Sequence, residues 1–165
     1  MKPYHHREVG TVGGAFLADK MNCELICDLI HVCPNAIKVL FKMKGKENVT
    51  LITDAMEAKH LDDGIYKLGG QDIYVVGNEA RLKDGTLAGS TLKMNVALRN
   101  ITSVLNLDMC DAVDLCTKNP AKVLGIYDYK GSINLGKDAD FAVVDKDFNV
   151  YMTVSKGKII YKVGE

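Results

Sequence analysis

Hydrophobic and polar positions change period several times along this chain, and each change marks an element. Small and apolar residues from Gly10 to Ala18 predict a short helix. The run from Glu24 to Val32 is mostly apolar and predicts a buried strand. Pro34 then opens a helix at its first position, with Ala36, Ile37, Val39, Leu40 and Met43 as its apolar stripe and Gly45 as its stop. Val49 to Thr53 reads as the next strand. Strand, helix, strand is the unit of parallel α/β folds, and its crossover is expected to be right-handed.

Between Leu61 and Gly85 the period shortens to two. The segments Ile65 to Leu68, Asp72 to Val76 and Glu79 to Leu82 are separated by Gly69-Gly70 and Gly77-Asn78, which are hairpin turn signals, so a small antiparallel meander is expected at about 61–85. Helical spacing returns with Met94, Ala97, Leu98, Ile101 and Leu105. A second helix is expected from an Asp108 cap through Val113 and Cys116, and a third opens at Pro120 and closes at Gly125. The tail turns back to strands at Asp140 to Asp145, Val150 to Val154 and Lys158 to Lys162. There is no tandem repeat, low-complexity stretch or flexible linker. Only two strands read as buried and parallel, too few to close a barrel or to form a sheet covered on both faces. The chain reads as part of something larger.

Composition narrows the partners. The 165 residues have the length of one domain and carry 21 Lys and Arg against 21 Asp and Glu. That balance gives no reason to expect nucleic acid or an anionic membrane, and points to a small molecule or another subunit. No segment has the roughly 20 uninterrupted apolar residues of a membrane span, and Met1 to Arg7 lacks a signal-peptide core, so a cytoplasmic protein is expected. The five cysteines, Cys23, Cys27, Cys33, Cys110 and Cys116, are odd in number and lie mostly in apolar segments, as reduced core thiols do. A metal site from Cys23, Cys27, His31 and Cys33 is disfavoured, because neighbouring ligands on one extended strand do not converge on an ion.

The candidate chemistry centres on Thr50-Leu51-Ile52-Thr53-Asp54-Ala55-Met56, where a strand hands a carboxylate to a loop. Parallel α/β enzymes keep acids and bases at such ends, although an Asp there also serves as a turn former or cap. Around it occur, in order, Met1-Lys2-Pro3-Tyr4-His5-His6-Arg7-Glu8, Asp28-Leu29-Ile30-His31-Val32, Leu51-Ile52-Thr53-Asp54-Ala55 and Gly85-Thr86-Leu87-Ala88-Gly89-Ser90. This ordered set resembles the N-acetylglucosamine-6-phosphate deacetylases, metal-dependent amidohydrolases built on a (β/α)8 TIM barrel with a small β-sandwich domain. Gly131 to Asp140, with Gly157 to Tyr161, resembles amidohydrolases more generally.

The resemblance implies an α/β fold: the C-terminal portion of such a barrel over residues 1–130, with the meander as an insert, and strands of the small β domain over 131–165. It implies hydrolysis of the acetamide of N-acetylglucosamine 6-phosphate in amino-sugar catabolism, and a homodimer when full length. Asp54 matches the family's catalytic aspartate. His31 matches a substrate-binding histidine at the end of the preceding strand, with Asp28, Leu29 and Ile30 as that wall of the pocket. Arg7 matches a phosphate-contacting arginine, whose planar fork suits a phosphate. Leu87, Ala88 and Gly89 match a substrate-lining loop. The family's metal ligands, a glutamate and two histidines that hold a divalent ion such as zinc or iron, fall before the position matching Met1, so this chain is expected to bind no metal alone. His5 and His6 are adjacent and poorly placed to share one ion. Val9 stands where the family commonly has proline, and Leu29 where it commonly has glycine, which implies altered loop geometry. Three alternatives remain open: an inactive fragment, an amidohydrolase for another amide, and a β-rich binding module.

Overall fold

The computed structural model describes residues 1–164. They form an α/β fold with three separate sheets. Helix α1 (Gly10–Leu17) leads to strand β1 (Cys23–Ile26), helix α2 (Pro34–Lys44), a 3₁₀ turn (Lys46–Asn48) and strand β2 (Val49–Ile52). As the sequence predicts, Pro34 occupies the first turn of α2, and Gly45 ends it at φ +68°, where an L side chain would be strained. β1 and β2 pair in parallel, with Cys23 opposite Val49 and Ile26 opposite Ile52.

The first correction concerns β1, which was expected to run from Glu24 to Val32 but stops at Ile26. The Asp28 side chain accepts from the backbone N–H of Ile30 and His31, and Leu29 turns left-handed at φ +67°. That local ring competes with the sheet and ends the strand. His31 therefore sits in the following loop, and the four sulfur and imidazole ligands considered for zinc do not share a strand. Nor is the parallel pair fully buried: Leu25 is covered, but Glu24 is exposed.

The meander is a four-stranded antiparallel sheet of β3 (Gly64–Leu68), β4 (Gln71–Val76), β5 (Glu79–Arg81) and β6 (Leu87–Ser90). The last of these corrects the expectation of a loop at Leu87–Gly89. Its Ala88-Gly89-Ser90 core has little β propensity and is held by pairing with β5 instead. Helices α3 (Met94–Leu105), α4 (Met109–Asp114) and α5 (Lys118–Val123) follow. The expected Asp108 cap is present, its carboxylate accepting from Cys110 N–H, whereas α5 starts two residues before Pro120. Strands β7 (Phe141–Val144), β8 (Val150–Ser155) and β9 (Lys158–Lys162) close the chain as a third sheet.

The main core lies between the β1–β2 pair and the helices, where Leu25, Cys27, Val49 and Leu51 meet Ile37, Ala97, Leu98, Ile101, Ala112 and Leu115. Phe148, at the tip of the β7–β8 hairpin, is buried in the same core, and Asn95 of α3 donates to its carbonyl at 2.9 Å. A second cluster of Met56, Ala58, Ile73, Val75 and Ala80 fills the inner face of the meander. The free edge of β2 is covered: Leu51 N–H donates to Leu115 O at 2.9 Å, and the Asn119 amide donates to Val49 O at 2.7 Å. On the other side, Val39 and Met43 of the expected α2 stripe stay exposed and line an apolar groove of about 850 Å³ with α1 and β1.

Lys44 ties this open side together. It is buried, and its ammonium donates to Ala15 O at 3.0 Å and Ala18 O at 2.5 Å at the end of α1. Lys44→Met should strip the ammonium from Ala15 O and leave Ala18 O with only its Met21 N–H donor, and cost about 1–3 kcal/mol. The check is urea unfolding, with a lower midpoint and an unchanged slope.

Candidate active site

Parallel pairing puts the C-terminal ends of β1 and β2 at the same end of the fold. Side chains alternate along each strand, so Glu24 and Ile26 share one face with Thr50 and Ile52, while Leu25 and Leu51 enter the helical core. The paired register ends at Ile26 opposite Ile52, and Asp28 and Asp54 follow two residues on, in the loops that leave this same end. The two carboxylates are in opposite states.

Asp28 is fully engaged. Its side chain is 8% exposed, one oxygen accepts from Ile30 and His31 N–H at 2.9 and 2.8 Å, and the other meets His31 Nδ1 at 2.5 Å. This fixes the His31 ring and leaves Nε2 without a partner among the described residues. Asp54 is exposed, in left-handed backbone at φ +46°, and its carboxylate makes no hydrogen bond or ion pair with the described residues. Aspartate tolerates this conformation better than most residues. A free carboxylate in locally unfavourable backbone has the form of an acid–base group held for a ligand.

The Leu87–Ser90 strand is tied to the loop after Asp54 through a parallel bridge between Ala55 and Ser90, with Met56 N–H donating to Ser90 O at 2.9 Å. Leu87, Ala88 and Gly89 thereby lie along the loop that follows Asp54. Gly89 has φ +132°, and a Cβ there would stand 3.3 Å from the Met56 sulfur, so glycine allows the close approach. Ile30 lies across from the outer face of the meander, lining a cleft of about 570 Å³ with Tyr74, Val76, Asn78, Glu79 and Arg81. No sequence signal marks this wall, because its residues lie in the meander, remote in sequence from Ile30.

Arg7 is not brought to this group. It is exposed in the N-terminal turn, where its guanidinium meets His6 Nε2 at 2.8 Å and its N–H donates to His5 Nδ1 at 3.2 Å. His5 and His6 stack with ring centroids 4.3 Å apart. No group of three or more His, Cys, Asp or Glu among the described residues could hold a metal ion. The residues present therefore do not fit the divalent ion that the resemblance implies.

Two departures from the family pattern are reconciled by the backbone. Val9 has φ −64°, the value proline fixes, and Leu29 has φ +67°, a conformation open to glycine. Each φ is one that the commoner residue adopts readily, and Leu29 holds its value under strain. Of the five free cysteines, Cys33 and Cys110 are exposed, which corrects the expectation of core thiols there. Burial, with the Asp28 carboxylate beside it, pushes the Cys27 thiol up to about 12, and burial raises Cys116 to about 11.

The amidohydrolase family model matches residues 21–160. An N-acetylglucosamine-6-phosphate deacetylase of Bacillus subtilis (strain 168) is 47% identical over 161 residues, covering 98% of this chain. The chain spans 41% of that relative's length. The solved structure of an N-acetylglucosamine-6-phosphate deacetylase from Thermotoga maritima superposes with a TM-score of 0.91 at 36% identity, covering 98% of this chain and 44% of its own. A mutant of the Mycobacterium smegmatis deacetylase, solved with N-acetyl-D-glucosamine 6-phosphate, superposes at 0.89 with 33% identity, covering 96% of this chain and 42% of its own.

Three outcomes follow from this geometry. Leu29→Gly should relieve a left-handed strain of about 1–2 kcal/mol against an added unfolded-state entropy of about 0.5–1 kcal/mol, so the melting midpoint should rise slightly. At pH 8 a thiol reagent should label Cys33 and Cys110 in the folded chain, and Cys27 and Cys116 only on unfolding. Because their folded pKa values are raised, these two thiols stabilise the fold fully below the unfolded thiol's ~8.5. That contribution falls as pH climbs towards about 11 and 12, and Cys27→Ala should flatten the alkaline loss seen in a denaturation series.

Proposed function

Since the chain belongs to the amidohydrolase family, we propose that it is the C-terminal portion of a barrel enzyme that hydrolyses the acetamide of N-acetylglucosamine 6-phosphate. The observation that carries this reading is that the unpaired Asp54 carboxylate and the Asp28-buttressed His31 are carried on the two loops that leave the shared end of two parallel strands. On this reading residues 1–130 belong to the barrel and 131–165 to the small β domain, the latter supported by the separate β7–β8–β9 sheet.

The chemistry follows from the side chains. Asp54 accepts a proton as water oxygen bonds to the acetyl carbon, then delivers that proton to the amide nitrogen as the C–N bond breaks, giving glucosamine 6-phosphate and acetate. His31, with Nδ1 held by Asp28, offers Nε2 to a polar group of the sugar phosphate. Leu87, Ala88 and Gly89 form a low wall that lets substrate lie close to backbone. Arg7 contacts the phosphate once the N-terminal turn is seated against the rest of a barrel. The chain's residues do not fit a metal, so no step is assigned to one here, and the chain alone is expected to be inactive.

The test is turnover in this chain joined to the preceding part of the Bacillus relative, which is expected to convert N-acetylglucosamine 6-phosphate. Asp54→Asn should lower kcat by roughly 10²–10⁴ while bound metal and KM stay near those of the parent. Near-normal turnover by that variant would exclude the role given to Asp54. N-acetylglucosamine without phosphate should be a poorer substrate by roughly ten- to a hundredfold, the worth of a charged hydrogen-bond pair. Equal use of both sugars would instead favour a different amide.

A further inference from the structure

Helix α3 touches both loops of the candidate site. At its N-terminal approach, Ser90 accepts from Met56 N–H through its carbonyl and from Leu92 N–H through its hydroxyl at 3.0 Å, which fixes the loop after Asp54. In mid-helix the Asn100 amide donates to Cys27 O at 2.9 Å, across 73 residues of sequence. Cys27 is the residue between the end of β1 and Asp28, and it is completely buried. Because the chain leaves the sheet after Ile26, its carbonyl lacks a strand partner, and an unpaired buried carbonyl is costly. Asparagine is a poor choice inside a helix on propensity alone. Its presence at position 100 is explained by this bond.

We propose that Asn100 is a positioning residue for the His31 side of the site. By holding the Cys27 carbonyl it sets where Asp28 departs from β1, and Asp28 in turn holds both the Leu29–His31 backbone and the His31 ring. Its importance to catalysis rests on the reading of His31 as a substrate contact. The test reads the histidine itself, so it can fail without that reading failing, and the reverse.

The experiment is ¹H–¹⁵N NMR of the full chain, following the His31 Nδ1–H resonance and the exchange of the His31 backbone amide, assigned with His31→Gln. Ile101→Ala, which removes core packing on the same helix, serves as the structural control. Asn100→Ala should move or broaden the Nδ1–H signal and speed His31 amide exchange roughly tenfold, as expected for loss of a single hydrogen bond. Ile101→Ala should lower the melting midpoint more and leave the His31 signals in place. If Asn100→Ala does not fold, Asn100→Asp keeps the volume and sets an acceptor against the carbonyl, with the same expectation. Unchanged His31 signals in the Asn100 variant, or equal changes in Ile101→Ala, would overturn the proposal.

Discussion

The rest of this structure depends on the in-register parallel pairing of Cys23–Ile26 with Val49–Ile52. Parallel strands cannot be joined by a tight turn, so the chain must cross over through α2 and return, which builds a helical layer on one face. Leu25, Cys27, Val49 and Leu51 enter that layer and leave the opposite face to Glu24, Ile26, Thr50 and Ile52. The same constraint sends both following loops out at one end. Asp28 and Asp54, remote in sequence, thus each lie two residues past the end of one of the paired strands.

What distinguishes those aspartates is their hydrogen bonding. Asp28 is turned inward and spends its acceptor capacity on its own loop and on His31, while Asp54 has no partner among the described residues. One carboxylate is committed to its own loop and the other stays open to solvent, and the division arises from local backbone. After β1 the chain curls back on Asp28. After β2 it passes through Asp54 in a left-handed turn and is caught by Ser90 of the meander. The meander is therefore part of the site's frame, with Gly89 allowing it to pack against Met56.

Much of this was legible in the sequence because it rests on local signals. Pro34 and Gly45 bounded α2, Asp108 capped α4, and the Gly69-Gly70 and Gly77-Asn78 turns located the meander. The misreadings came where side chains or distant partners override local pattern. An apolar run hid the end of β1 because the Asp28 ring stops it, and β6 was hidden because small residues become a strand only when β5 pairs with them. Asn100 was unreadable as a site residue, since its bond to Cys27 joins elements 73 residues apart. Of α2's apolar stripe only Ile37 is buried; Val39 and Met43 are exposed, and among the described residues nothing covers them.

The central claim is that Asp54 and the Asp28–His31 pair address one substrate from adjacent strand ends. The most direct measurement is a crystal structure of the chain completed by the rest of a barrel, with N-acetylglucosamine 6-phosphate bound. The account predicts an Asp54 oxygen within about 2.6–3.2 Å of the reacting amide nitrogen or its attacking water, with His31 Nε2 on the same sugar and Leu87–Gly89 along its side. A sugar seated elsewhere, with Asp54 still unpaired and His31 untouched, would contradict it.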